Sequence, residues 1–464
     1  MSTEREMQWE NLVKEVDALG GNGEDFAAAI KELYSLYSDD VIYWYAGLFD
    51  PNIGGFYFAN SARDAEGYLP DIEATQHCLG FFEKFSGVSS YSEVCPDWMK
   101  ERIGKWIKGL QDPNGYFYHP QWDRAFADTK LARKGRDLNY GLGVMSACGF
   151  RPTYDTPLGG KGDGLLPDGT PVDMPKSDAK PDTAAKEEPK KESTLKFSPH
   201  LESVETFREY LDKLYPDLCN RPYWTGNQFS NQIGQIKARD KMLRESGEKE
   251  SLCEMLIAWF DGRQNPETGN WYHPDEGDAE NSPRRFSYEG NNSLLKIIDV
   301  YNQIGAELHY PIEAARSAMK AITVETPPSS VCDVYNTWFA VCQVIANIQN
   351  HSKLTDEKKA EYIATIRREL LKDAPSAIRA SKDKISLFKR PDNAFSYTPT
   401  GTSITSQGMP VALPGFDESD TNASGISLGF NRYMFKAFDL TYVKPLDRPL
   451  LDKYLALLEA KRPS

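Results

Sequence analysis

Six segments of the chain share one pattern: a polar or acidic opening, then Asn or Glu, then a mostly apolar run of helical length. They are PDIEATQHCLGFF around Glu73, RDLNYGLGVMSACG around Asn139, WTGNQFSNQIGQI around Asn227, YEGNNSLLKIIDVY around Asn291, CDVYNTWFAVCQVI around Asn336 and SDTNASGISLGFNRY around Asn422. These runs carry little charge and much Gly, Ala, Ser and Asn, as expected of helices buried on both sides. Between them lie Phe26–Tyr45, Trp98–Leu110, Leu201–Tyr215, Ser251–Phe260, Pro311–Ile322 and Leu354–Leu371. There the apolar residues recur at three- and four-residue spacing with charges elsewhere, the signature of helices with one face in water. The alternation of the two sets predicts an all-α fold, with an inner ring of helices inside an outer ring.

A second recurrence marks the joints between outer and inner helices. DPNIGGFYFAN (Asp50–Asn60), QDPNGYFYHP (Gln111–Pro120) and RQNPETGNWYHPD (Arg263–Asp275) each place a Pro/Asn/Gly turn before a short alternating aromatic stretch, and DNAFSYTP (Asp392–Pro399) is a weaker copy. Such turns predict short β ribbons at one rim of the ring.

A helix ending in Gln, then a Gly turn, then an aromatic residue (GLQDPNGYF, GRQNPETGNW) resembles the Q-x-x-x-G-x-W repeat of terpenoid cyclases. GGFYF followed by PDIEATQHCLGFF resembles the Gly-Gly-Phe repeat of the prenyltransferase and squalene-cyclase superfamily. The resemblance covers roughly residues 25–440 by repeat layout. It implies an (α/α)6 toroid of six helical hairpins, an architecture shared with many glycoside hydrolases and polysaccharide lyases. Departures weigh against terpene chemistry. The nearest match to an Asp-x-Asp-Asp acid motif, Asp71-Ile72-Glu73-Ala74-Thr75, lacks the last acid. Cys332-Asp333 has the wrong order for a prenyltransferase zinc site, and no diphosphate-binding DDxxD motif appears.

The 464 residues suffice for one large toroid domain, 1–464. The Lys/Glu/Ala/Pro-rich stretch at 176–198 reads as a disordered charged insertion within it. A net charge of −14 argues against nucleic acid and against an anionic membrane surface as partners. The opening residues show no secretory pattern and no long apolar run exists, so a cytoplasmic location is expected. Seven scattered Cys without a CxxC pair fit a reduced compartment.

The candidate chemistry gathers at the predicted inner-helix starts. Glycoside hydrolysis needs one carboxyl kept protonated and one ionised. Glu73 and Glu289 are the first candidates for that pair, followed by Asp137, Asp333 and Asp420. Carboxylates at helix N-termini are also stabilising without any chemistry. Asn139, Asn227, Asn291, Asn336 and Asn422 read first as helix caps or buried polar spacers, and are also the candidates for sugar-hydroxyl binding, since a capped helix start can line a site. Trp122, Trp224, Trp271 and Tyr288 offer flat faces to pyranose rings. Arg63, Arg124, Arg284 and Arg285 could hold a uronate carboxylate, and Tyr288, His119 or His273 could then abstract the adjacent proton.

No HExxH, clustered Cys/His set, GxSxG elbow, Walker loop or placed GxGxxG appears, so no metal and no cofactor are expected. The sequence therefore points to a carbohydrate-active enzyme acting on an imported oligosaccharide, with hydrolysis by paired carboxylates placed first. A uronate lyase, a terpenoid-cyclase- or prenyltransferase-like enzyme, and a non-catalytic ligand-binding toroid stand as alternatives.

Overall fold

The computed structural model describes residues 4–172, 194–273 and 288–463. Arg284, Arg285 and residues 176–193 of the expected insertion lie outside the described residues. At the other end of that stretch Phe197 packs on the core and Ser198 is buried.

Helices dominate. α1 (Glu4–Ala18), α2 (Gly23–Tyr34) and α3 (Val41–Gly47) lead into an antiparallel ribbon, β1 (Phe49–Asp50) with β2 (Gly55–Phe56). Then come α4 (Asn60–Asp64), α5 (Ile72–Leu79), α6 (Tyr91–Val94), α7 (Asp97–Gly109), α8 (Arg124–Asp128) and α9 (Leu131–Ala147). α10 (Val204–Asn220), α11 (Pro222–Glu245), α12 (Leu252–Asp261), α13 (Gly290–Ile304) and α14 (Pro311–Thr323) follow. α15 (Cys332–His351), α16 (Asp356–Lys372) and α17 (Ala374–Ser386) precede a second ribbon, β3 (Thr405–Ser406) with β4 (Met409–Pro410). The chain ends in α18 (Thr421–Ser427), α19 (Asn431–Phe438) and α20 (Arg448–Glu459).

The six motif segments become α5, α9, α11, α13, α15 and the pair α18–α19. α5 packs against α9, α9 against α11, α11 against α13, α13 against α15, and α15 against α19, while α18 returns to α5. The amphipathic helices lie on these: α7 on α9, α10 and α12 on α11, α14 and α16 on α15, and α17 on α2 and α14. One apolar cluster runs from Leu12 to Leu458. Two expected outer helices are interrupted. Phe26–Tyr45 divides into α2 and α3, and α10 begins only after Ser203, whose side chain closes a capping box with Thr206.

The recurrent joints fold alike. Tyr57, Tyr118 and Ser396 N–H groups donate back to the Leu48, Leu110 and Phe388 carbonyls at 3.0, 2.9 and 2.8 Å. Phe49 faces Phe56, Gln111 faces Phe117 and Lys389 faces Phe395 in antiparallel bridges. Each turn passes through one left-handed residue: Gly54 at φ 93°, Gly115 at 89°, Gly269 at 67° and, in the weaker copy, Asn393 at 69°. That backbone favours Gly, and Asn next. The preceding long side chain ties the turn: Gln264 Nε2 donates to the Gly269 carbonyl at 2.9 Å and Lys389 Nζ to that of Asn393 at 2.9 Å. The Gln-turn-Gly-aromatic recurrence is thus a hydrogen-bonded joint. Among the described residues no helix is long and apolar enough to cross a membrane.

Candidate functional site

α5 begins at Asp71, whose carboxylate caps the helix by accepting from the Ala74 N–H at 3.0 Å. One residue inside, Glu73 is fully buried. α9 crosses beside it with the sequence LARKGRDLNYGL, which sets Arg133, Arg136, Asp137 and Tyr140 at helical spacing. Arg133 gathers three acids. Its Nε donates to both Asp137 oxygens at 2.9 and 3.0 Å, Nη1 to Glu73 at 2.7 Å and Nη2 to Asp71 at 3.0 Å. Arg136 holds the other Glu73 oxygen through Nη1 and the Asn231 side chain through Nε. His77, one turn along α5, sets Nε2 3.5 Å from Glu73.

Burial alone would raise the Glu73 carboxyl, and the charges of Arg136 and Arg133 reverse this, holding it well below the usual carboxylate range. Asp137 ends differently. Burial dominates over its Arg133 contact and pushes it up to about 6. Both guanidiniums are held above their ordinary value, their acids outweighing burial.

The β3–β4 hairpin roofs this cluster. Ser406 donates to Glu73 at 2.6 Å, and Asn227 Nδ2 donates to the Gln407 side chain at 2.6 Å. Trp122 Nε1 and Gln121 Nε2 both donate to the Pro410 carbonyl. Trp122 also lays its ring 4.5 Å from the Arg133 guanidinium, with the His119 ring 4.7 Å away. His119 is anchored through Nε2 to the Pro70 carbonyl at 2.7 Å. Gln407 sits at φ 51°, in the left-handed region, next to Gly408 at 85°.

Below the roof, several side chains lie deep in the molecule yet keep accessible surface: His77, Asn139, Tyr140, Tyr223, Lys296 and Tyr335. His77 and Tyr140 rings meet edge-on at 5.8 Å. Lys296 is lowered to about 8 by burial and by Arg136. Cys332 is paired with the Tyr397 hydroxyl at 3.4 Å, and burial keeps its thiol raised. This partly accessible group is therefore phenolic and cationic.

The remaining candidates are placed as follows. Asn139 Nδ2 donates to the Asn231 carbonyl at 3.2 Å. None of the five Asn is a helix cap: Asn139 lies well inside α9, and the caps of α5 and α18 are Asp71 and Asp420. Asn336 donates to Asn292, which donates to Asp333 at 2.8 Å, so Asp333 anchors a buried chain that also takes the Ser329 N–H. Asn291 is buried at the start of α13 and Asn422 half-buried in α18. Glu289 precedes α13 and accepts from the Tyr223 N–H at 3.0 Å. Asp420 accepts from the Ala423 N–H and from Thr402, and burial raises it to about 7.

Several aromatic and basic candidates take structural places. Trp271 is wholly buried and donates to the Phe260 carbonyl, and buried Tyr288 donates to that of Thr326. His273 is tied to the Arg263 carbonyl. Arg63 pairs with Asp64, Arg124 pairs with Asp112 on the surface, and exposed Trp224 lies under Arg221. A groove of about 610 Å³ along α16, beside Phe438 and Asp439, contains none of these residues. Among the described residues no group of acids, His and Cys is arranged to hold a metal ion.

Sequence reasoning singled out Glu73, Asp137, Trp122, His119, Asn139 and Asn227, which the fold brings together. It missed Arg133, Arg136, His77, Tyr140, Lys296 and Ser406. The signal for four of these was present, as Glu73/His77 and Arg133/Arg136/Asp137/Tyr140 each follow one helix face. The chain matches no protein-family model, no curated protein and no solved structure.

Proposed function

We propose that the chain is an (α/α)6 toroid whose interior takes an acidic oligosaccharide and cleaves it by β-elimination. The contact sequence α5–α9–α11–α13–α15–α19, with α18 on α5, supports the ring reading. The observation that carries the chemistry is a cluster of partly accessible side chains, Arg136, Lys296, Tyr140 and Asn139, beside a carboxylate whose charge two guanidiniums balance. Elimination requires a cationic or amide partner for the uronate carboxylate, a base for the proton beside it, and an acid for the leaving oxygen. Lys296 suits the first role, helped by the Arg136 N–H groups that Glu73 and Asn231 do not use. Tyr140 suits both proton transfers, taking the proton beside the carboxylate as phenolate and returning it as phenol to the leaving oxygen; burial raises the phenol and the Arg136 charge opposes only part of that rise. Glu73 is then a fixed anion that orients two guanidiniums.

Hydrolysis keeps one specific support. Asp137 and Asp420 are both raised, as a general acid requires. One experiment separates the two readings. The protein is incubated with uronate-containing and neutral oligosaccharides, and products are read by mass and by the ultraviolet absorbance of unsaturated uronate. Absorbing products, lost in Tyr140→Phe, support elimination. Products that have gained water move the assignment to hydrolysis, and no product from any sugar overturns both.

A further inference from the structure

A second set of cations gathers at the seam where the turn after α5 meets the turn between α18 and α19. Lys84 closes the short 3-10 turn Phe82–Lys84 that follows α5, and it is 9% exposed. Its ammonium makes no hydrogen bond and no ion pair among the described residues. It lies directly over Gly429, where any Cβ would come within 2.4 Å of Nζ, so the glycine is what leaves the ammonium its place.

The same turn carries Arg432. Its backbone N–H donates to the Gly429 carbonyl, and its guanidinium donates to the Tyr433 hydroxyl at 2.6 Å while the side chain remains accessible. The charged groups facing Lys84 are Arg432, Glu83 and Lys444. Lys444 is engaged by the Val88 carbonyl, and among the described residues Glu83 is the one acid acting on Lys84 beside Arg432 and Lys444. A buried lysine without a partner is costly, and proteins rarely keep one for packing alone.

We propose that Lys84 and Arg432 form a binding site for a small oxyanion: phosphate, sulfate, or the carboxylate of an acidic sugar. A tetrahedral or planar oxyanion would accept from the ammonium and from the guanidinium N–H groups that Tyr433 does not use. It would supply the negative charge that the seam lacks. The site is built on different cations from those of the roofed cluster, and the proposal does not depend on elimination chemistry.

The test is calorimetric titration of the full chain with inorganic phosphate, inorganic sulfate and glucuronate at constant ionic strength, with thermal unfolding in parallel. The variants are Lys84→Gln and Arg432→Gln. At least one anion is expected to bind the parent and raise its unfolding temperature, with affinity at least tenfold weaker in both variants. Tighter binding of the inorganic ions names a free anion as occupant, and tighter binding of glucuronate names an acidic ligand group. Absence of binding by all three, or undiminished binding in either variant, overturns the site. Lys84→Gln removes an uncompensated buried charge and should fold, and Arg432→Gln provides a second, accessible position.

Discussion

Ser406 and Glu73, 333 positions apart in the chain, meet in a buried hydrogen bond of 2.6 Å. The hydroxyl completes the shell of a carboxylate already held by Arg133 and Arg136. It also makes the β3–β4 hairpin part of the cluster it covers. Hairpin and cluster are therefore coupled: what loosens one exposes the other.

Ser406→Ala removes one hydrogen bond to a charged group, which is worth about 1.5–3 kcal/mol. Denaturant unfolding should show a loss in that range. Limited proteolysis should show earlier cleavage in the hairpin. Glu73→Gln should cost more, about 3–5 kcal/mol, because it leaves the buried Arg136 guanidinium without an acid and takes one of three from Arg133. Equal losses in the two variants would mean that the hydroxyl does not act through the carboxylate.

The helices and joints were legible because their causes are local. Helical period, Gly at a left-handed turn and a Gln reaching back over that turn are all written within about ten residues. The site was legible only in part, because ion-pair partners come from different elements. Glu73 stood out as an acid at a helix start, yet its state is set by Arg133 and Arg136, 60 and 63 residues on, and by Ser406. Trp271 and Tyr288 looked like loop aromatics, but each carries a polar handle that a buried carbonyl satisfies, and so both entered the core. The shared Asn position proved to hold different depths in different helices.

Asp420 predicts a pH dependence. Its carboxyl is buried at the head of α18, facing Thr402 and the backbone of Ala423, Tyr397 and Ser403, with Tyr45 nearby. Burial raises it to about 7. The folded state then binds this proton more tightly than the unfolded state, so stability is lost as pH rises from about 4 to about 7. Asp420→Asn keeps the helix cap without the charge. It should equal the parent near pH 4 and exceed it at pH 8 by on the order of 2–4 kcal/mol, as read from unfolding midpoints at the two pH values.

Tyr140 and Arg136 separate chemistry from binding. Tyr140→Phe deletes the proton-transferring hydroxyl but keeps the ring against His77. On a uronate oligosaccharide it should lower kcat by about 10²–10⁴-fold and change KM little. Arg136→Lys keeps charge but loses the fork that spans Glu73 and Asn231, so it should raise KM as well. A Tyr140→Phe variant with unchanged kcat would remove that residue from the mechanism.

Lys84 gives the strongest test of the seam, because its folded and unfolded titrations differ and a bound anion would reverse the resulting pH dependence. Burial, then the charge of Arg432, lowers the ammonium to about 7 from 10.5. A base lowered on folding binds fewer protons folded than unfolded, so stability rises with pH between about 7 and 10.5, with a slope of up to about 1.4 kcal/mol per pH unit. Lys84→Met should flatten that rise. It should therefore be more stable than the parent at pH 6.5, with the difference shrinking toward pH 9. A bound oxyanion reverses the sign, since it pulls the proton onto Lys84 and stabilises the parent most where the lysine is charged. Phosphate should consequently raise the parent's unfolding temperature more at pH 6.5 than at pH 9 and leave Lys84→Met unmoved at both. A Lys84→Met protein less stable than the parent at every pH, in the absence of anion, would show that the ammonium is already compensated and that the seam has no vacancy for a ligand.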